Sequence, residues 1–382
     1  MILRADTVSK KMEMRRNLLL HAIFRDGSKG RRELGRNLGM SKSRLCEVVQ
    51  DLIDERLIIE NLNGIKRIGR SPIPLSCNPD YGCFVGLDIE VTRMRIVVVN
   101  FAGKVIFQRR QHLEPITDQK ALISWVLKIV DGGLAVANNL GSTVFGIGVA
   151  APGIIHSKTG TLIRYDLIDG IKNIPLRDLV EEHTQISCVV ENNMSCYALT
   201  EWTSGAARQL SDFILLSVRS GFGSAIMLGG KLLNGSHGFS TEAGSSIVPS
   251  NKPVSQWKSL HQLVSETALE VSSDLSNMTL SPKKAREAGV LLGTEAASLA
   301  SLLDPEAIIL AGALVEEEGP LWDIVESTYR KFIMPEVNES VRLLHSQVGS
   351  FAAAVGATQR CFQELFPTNP NSDQESKLIR AK

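Results

Sequence analysis

The 382-residue chain is poor in aromatics, 5%, and has only six cysteines, Cys46, Cys77, Cys83, Cys188, Cys196 and Cys361, with no C-x-x-C pair among them. Scattered thiols of this kind suit reduced core residues in a reducing compartment, and they argue against a disulfide framework or a zinc knuckle. No stretch approaches about 18 consecutive apolar residues, so no membrane span is expected. The opening MILRADTVSKKMEMRR is charged throughout. It lacks the apolar core and small-residue cleavage site of a secretory leader, which makes the cytoplasm the expected compartment. What is present is 43% hydrophobic and 22% charged residues with 31 Gly and 14 Pro, an ordinary globular composition that excludes disorder and fibres. At roughly 100–200 residues per domain, two or three domains are expected.

The net charge of +1 conceals an asymmetry. Residues 1–78 carry 16 Lys and Arg against 9 Asp and Glu, whereas the remainder carries 26 against 32. A basic module ahead of a mildly acidic body fits a first part that meets a polyanion. Charge alone does not separate this from a solvated basic face, so pattern must decide.

From Val8 to Arg25 apolar residues recur at helical spacing, and Asp26-Gly27-Ser28 stops that helix. The segment Gly30 to Leu38 is short and basic, Gly39-Met40 makes a tight turn, and Ser41 is placed to cap the next helix through its hydroxyl. In that helix Leu45, Val48, Val49, Leu52, Ile53 and Leu57 form one stripe. Off the stripe, at its start, stand Ser41, Lys42, Ser43 and Arg44, where a recognition helix meets base edges and phosphates. Leu57 to Glu60 reads as a strand, Asn61 to Gly64 as a hairpin turn and Ile65 to Ile68 as the returning strand. The expected module is a winged helix-turn-helix. Arg67 and Arg70 continue the wing into Gly69-Arg70-Ser71-Pro72, an extended segment suited to a narrow minor groove. A solvated linker, or a trihelical module that binds protein, are the competing readings.

Beyond Pro79 the texture changes. Phe84 to Ile89, Met94 to Val99 and a third strand after Asn100-Phe101-Ala102-Gly103-Lys104 make one set. Phe213 to Val218, Gly221-Phe222-Gly223, Ala225 to Leu228 and Gly229-Gly230-Lys231 repeat the same order. With helices at Lys120 to Leu140 and Glu295 to Leu303, this predicts an α/β body of two lobes around a cleft.

The winged module with its GRSP linker, FVGLDI, GVAAPG (148–153), VVENN (189–193), SGFGSAI (220–226), STEAG (240–244) and LDPEAIILAGALV (303–315) resembles, in order, the ROK family of repressors and sugar kinases. The resemblance implies an actin-like, hexokinase-like fold of two α/β lobes, with sugar in the cleft and, in the kinases, ATP on Gly-rich turns. The expected organisation is a winged helix-turn-helix over residues 1–78, the two-lobed body over 79–366 and a disordered tail over 367–382.

Departures from the kinase pattern fall at the chemistry. Where the kinases carry D-I-G-G-T, this chain reads Asp88-Ile89-Glu90-Val91-Thr92, which places a carboxylate and a β-branched side chain where phosphates would sit. The kinases' adenosine-side G-G-G has become Ala311-Gly312-Ala313, and the Asp that accepts the sugar hydroxyl proton aligns with Asn193, an amide that cannot act as that base. The family's zinc cysteines are missing, since Ser245 follows Glu242-Ala243-Gly244 and residues 251–260 hold no Cys. His261 stands where a sugar-contacting Glu would be. No metal and no cofactor are expected, and the chain is expected not to be an enzyme.

Asn192, Asn193, Glu242, Asp166 and His261 keep polar groups where sugar hydroxyls would lie, with a buried amide or an ordinary loop carboxylate as the plainer interpretations. The resemblance therefore implies a DNA-binding repressor of carbohydrate genes, a homodimer or higher homo-oligomer on a near-palindromic operator in double-stranded DNA, responsive to a sugar or sugar derivative. A residual ATP-dependent sugar kinase and a ligand-blind regulator remain the alternatives.

Overall fold

In the computed structural model the described residues are 2–27, 29–61, 73–91, 93–113, 116–165, 168, 170–265, 268–269, 280–312, 314–315 and 319–368, with the backbone alone for 2–10 and 26. The predicted wing turn after Asn61, the returning strand, Arg67, Arg70, Thr92, Asp166, Ala313 and the tail beyond residue 368 lie outside them.

The head opens with α1 (Ile2–Asp26), which starts earlier than its apolar spacing predicts and ends at Gly27, in the left-handed region at φ 72°. Then come β1 (Lys29–Gly30), α2 (Arg31–Asn37), α3 (Lys42–Asp54), β2 (Ile58–Glu60) and β3 (Pro74–Cys77). The stripe on α3 is buried at Leu45, Val48, Val49 and Leu52, each such side chain contributing roughly 1.5–3 kcal/mol of burial. Ser41 holds the N-cap position, but its hydroxyl makes no bond to the helix backbone and lies 3.4 Å from the Ser43 hydroxyl.

β2 pairs with β3, Ile58 opposite Cys77 and Glu60 opposite Leu75; the predicted returning strand over 65–68 lies outside the described residues. Period-two alternation fits that pairing: Leu75 and Cys77 share one face of β3 and both are buried. β1 pairs along the other edge of β3, completing a three-stranded sheet.

Lobe 1 contains β4 (Cys83–Ile89), β5 (Arg93–Asn100), β6 (Val105–His112), α4 (Gln119–Asn139), β7 (Val144–Ala151), β8 (Ile154–His156), β9 (Thr161–Arg164), β10 (Lys172–Ile174), α5 (Leu176–Thr184), β11 (Cys188–Asn192) and α6 (Asn193–Ser204). Lobe 2 contains β12 (Phe213–Val218), β13 (Phe222–Leu228), β14 (Lys231–Leu232), β15 (Ile247–Val248), β16 (Lys258–Ser259), α7 (His261–Val264), α8 (Pro282–Leu303), β17 (Ala307–Ala311), α9 (Pro320–Phe332), α10 (Pro335–Asn338), β18 (Arg342–His345) and α11 (Ala352–Leu365).

The main sheets run β6-β5-β4-β7-β11 and β14-β13-β12-β17-β18. In both, two antiparallel pairings on one side of the leading strand meet two parallel pairings on the other. The repeat of strand, Gly-bearing turn and strand in the sequence is therefore a repeat of sheet topology. The helix expected over Glu295 to Leu303 is the C-terminal part of α8, whose buried face of Ala285, Ala288, Gly289, Leu292, Gly293 and Ala296 is too small-sided to register as a hydrophobic stripe.

Helix α4 lays Leu122, Val126, Ile129 and Val130 on the lobe 1 sheet. By length and composition it alone, among the described residues, could cross a membrane. On the opposite face of that sheet lies α11, whose Ala354 and Ala357 carbonyls come so near β4 and β7 that a Cβ on Gly86 or Gly148 would sit 2.2 Å from them. Helix α6 packs Met194, Tyr197 and Ala198 against the lobe 2 sheet at Phe213, Leu215 and Ala225. The two helices touch each other, and each lobe thereby lends a helix to the seam between them.

The head shares a core with lobe 1. Leu19, Leu20, Ile23, Val48 and Leu75 belong to one buried cluster with Phe84, Phe101 and Phe362. Asn17 Nδ2 donates to the Pro367 carbonyl at 2.9 Å and His21 Nε2 to the Phe366 carbonyl at 2.7 Å.

Candidate functional site: the interlobe cleft and the charged head

On the head, Ser41, Lys42, Ser43 and Arg44 are all exposed at the start of α3. Arg44 Nη1 donates to Glu47 Oε2 at 2.8 Å on the helix surface. The partial positive charge of the α3 N-terminus adds to theirs, since the first-turn N–H groups point outward without a side-chain cap.

Between the lobes lies a cavity of about 680 Å³, large enough for a sugar-sized ligand. Its floor follows from local turns. Pro152-Gly153 ends β7 with Gly153 at φ 79°, where a Cβ would lie 2.2 Å from the Arg164 carbonyl. Asn192 closes β11 and caps α6: its Oδ1 accepts from the Met194 N–H at 2.8 Å and the Ser195 N–H at 3.3 Å, while its Nδ2 donates to the Gly153 carbonyl at 3.0 Å. One Nδ2 proton is left for a ligand. Asn193, the first residue of α6, is half-buried on the cavity wall.

From lobe 2, Glu242 lines the cavity beside Thr241, whose φ of 69° is a strained backbone for a β-branched residue. Ser224 holds that loop, donating to the Thr241 carbonyl and accepting from the Ala243 N–H. His261, at the start of α7, accepts from the Phe222 N–H through Nδ1 at 3.2 Å. The neutral ring therefore carries its proton on Nε2, which is buried at the cavity wall with no partner among the described residues. Of the sequence-predicted cleft residues, Asn192, Asn193, Glu242 and His261 thus converge on one cavity.

Sequence reasoning located Glu90 but missed its setting. Asp88 and Glu90 at the end of β4 are buried with Arg93 and Arg95 of β5 and Arg219 after β12. Arg95 Nη1 donates to Asp88 Oδ2 at 3.0 Å and to Glu90 Oε1 at 2.8 Å, and Arg93 Nε donates to Glu90 Oε2. Arg219 Nη2 bonds Asp88 Oδ2 and pairs with Glu90 Oε1. The β4–β5 register sets Asp88 opposite Arg95. A signal for the hairpin half was present in the alternation Asp88, Glu90, Arg93, Arg95 across a short turn. No local signal points to Arg219, 131 residues from Asp88.

The thiols take no part in this chemistry. Cys77, Cys83, Cys188, Cys196 and Cys361 are buried and Cys46 is exposed. Burial pushes Cys361 up to about 12 and Cys196 well above its ordinary value, so neither is a thiolate at neutral pH. Among the described residues no three His, Cys, Asp or Glu side chains are grouped to hold a metal ion.

Two topologically matched α/β lobes around a deep cleft, with a helix from each in the seam, define the actin-like, hexokinase-like class. The ROK family profile matches residues 84–363, and the chain belongs to that family. It is 29% identical over 233 residues to a xylose repressor of Caldicellulosiruptor bescii, a match covering 60% of this chain and 58% of that protein's length. It is 25% identical over 373 residues to a xylose repressor of Bacillus spizizenii, covering 92% and 94%. In fold it is similar to a crystal structure of a ROK family transcriptional regulator, a homologue of the E. coli MLC protein, with a TM-score of 0.77, 20% identity, and coverage of 94% of this chain and 98% of that one.

Proposed function

We propose that the chain is a cytoplasmic DNA-binding repressor of carbohydrate genes whose cleft takes a sugar effector and transfers no phosphoryl group. The reading divides it into a winged helix-turn-helix over 1–78, a ROK body over 79–366 and a tail over 367–382. The observation that carries it is the head, where α3 offers Ser41, Lys42, Ser43 and Arg44 to solvent while its other face is buried in a core continuous with the body. Relatives named xylose repressors support the same reading.

Phosphate contacts from Lys42, Arg67 and Arg70 supply most of the affinity, and Ser43 and Arg44 read base edges. A two-fold dimer sets recognition helices about 34–36 Å apart on a near-palindromic operator. The test is fluorescence anisotropy with operator and random duplexes at several salt concentrations. Binding with a steep salt slope, flattened by Arg70→Ala, supports the reading, and indifference to DNA at low ionic strength overturns it.

The effector is a neutral sugar held by the free Nδ2 proton of Asn192, the Asn193 amide, the Nε2 proton of His261, and the carboxylates of Glu242 and Asp166. Xylose is the first to try, given the relatives' names. A ligand specific to the folded state raises apparent stability, by about 2.7 kcal/mol at a hundredfold excess over its Kd. Thermal shift across a panel of pentoses and hexoses distinguishes a sensor from a ligand-blind regulator. Loss of the shift in His261→Ala ties it to this cavity. Phosphoryl transfer is disfavoured by Asn193, which offers no general base, and by the buried carboxylate of Glu90 at the phosphate turn. Turnover of ATP with a monosaccharide in a coupled assay would restore the kinase reading.

A further inference from the structure

We propose that Arg219 is an interlobe latch, a guanidinium carried by lobe 2 and gripped by the Asp88 and Glu90 carboxylates of lobe 1, which holds the lobes together with nothing bound between them. The β4–β5 hairpin is complete without it. Two carboxylates, Asp88 and Glu90, already face two guanidiniums, Arg93 and Arg95, with bonds joining Arg95 to both acids and Arg93 to Glu90. Arg110 of β6, opposite Arg95 in the sheet, already brings a third positive charge from lobe 1, so Arg219 adds a further one to a group with no negative charge to spare, and it does so from the other lobe. Its place in the cluster therefore serves the join between lobes and is not needed to neutralise lobe 1.

The physics of buried ion pairs makes this contact reversible. Removing a guanidinium and two carboxylates from water has a desolvation penalty that their attraction roughly cancels, so closed and hydrated arrangements lie near each other in free energy. The closed arrangement also leaves capacity unused: Asp88 Oδ1 and Arg219 Nη1 are buried with no partner among the described residues, a further penalty that opening would relieve. Glu90 and Arg219 both line the cavity. A ligand entering the cleft thus meets the latch directly, and whatever it does to that pair changes how the lobes stand.

The test is pulsed EPR between spin labels at Glu182→Cys on exposed α5 of lobe 1 and Ser255→Cys on the exposed β15–β16 connection of lobe 2, in the full chain with Cys46→Ser. The unliganded protein should give one narrow distance distribution, its open form at roughly 10% or less. Arg219→Gln should fold normally by near-UV circular dichroism, because the hairpin's own charges still balance, and should show a second, resolved distance population. Arg219→Lys, which keeps the charge on a shorter grip, should fall between the two. An unchanged distribution in folded Arg219→Gln overturns the latch. Failure of Arg219→Gln to fold also overturns it, since Arg219 would then be a structural part of lobe 1. Neither result bears on whether the head binds DNA.

Discussion

Phe24 of the head stacks on Phe362 of α11, ring centroids 4.2 Å apart and planes at 21°. Phe362 is fully buried and also meets Phe84 and Phe101 of lobe 1 at 6.3 Å and 5.6 Å. The helix that covers the face of the lobe 1 sheet opposite α4 is thus the one on which the head rests. Phe362→Ala is expected to cost about 3–5 kcal/mol in urea unfolding. A Phe24/Phe362 double-mutant cycle should return a coupling of about 0.5–1.5 kcal/mol, the share belonging to the stack itself. Zero coupling would mean that head and body are merely adjacent.

His21 gives this contact a pH dependence. Burial lowers its pKa from 6.5, against the opposing effect of the Phe366 carbonyl that accepts from Nε2. The folded state therefore binds a proton less readily than the unfolded one. Stability from this group is fully present above pH 6.5 and is lost as pH falls from there through the lower folded value. His21→Gln retains a donor for the carbonyl and cannot titrate. The fall in Tm between about pH 7 and pH 5.5 should be smaller in that variant than in the parent chain, and equal falls would remove His21 as the cause.

Much of this was legible in the sequence wherever one element faced one core. The α3 stripe and both strand–turn–strand sets, with Gly103 and then Gly229 and Gly230 at positive φ, are local patterns. What escaped depended on partners far along the chain. β3 joins β2 from across a long connection, α8 hides its length behind alanines and glycines that pack on α9, and Arg219 finds its carboxylates only when two lobes meet. In the cleft, Asn192 could be placed from its motif, but its helix-capping bonds to Met194 and Ser195 depend on where β11 hands over to α6.

The Arg44–Glu47 pair on α3 is exposed on both sides, and pairs of that kind contribute about 1 kcal/mol or less. Releasing Arg44 to a guanine edge is therefore inexpensive, whereas Lys42, exposed at the helix start, is the residue to which the proposed binding mode gives a phosphate contact. Lys42→Ala should weaken binding to all duplexes alike and reduce the salt slope by about 1. Arg44→Ala should relax preference at one base position by about 1–3 kcal/mol and leave random-sequence binding nearly unchanged. Anisotropy titrations over a set of single-base operator variants separate the two, and identical behaviour of both variants would contradict the assigned roles.

Two helical glycines should respond to alanine with opposite signs. In an isolated helix Gly→Ala is favourable by roughly 1 kcal/mol, through backbone entropy alone. A Cβ on Gly132 of α4 would meet only the mobile end of Arg109, with Nη2 at 3.2 Å, so Gly132→Ala should keep most of that gain. A Cβ on Gly356 of α11 would fall 1.8 Å from the Cys196 carbonyl oxygen of α6. Backbone cannot swing aside as a side chain can, so Gly356→Ala must push α11 away from α6 and disturb the seam that both lobes share. Overpacking of this kind costs about 1–3 kcal/mol or more, enough to reverse the propensity gain. Unfolding curves for the pair should therefore move to opposite sides of the parent. A stabilised Gly356→Ala protein would mean that the two helices are not in backbone contact and that the lobes are joined elsewhere.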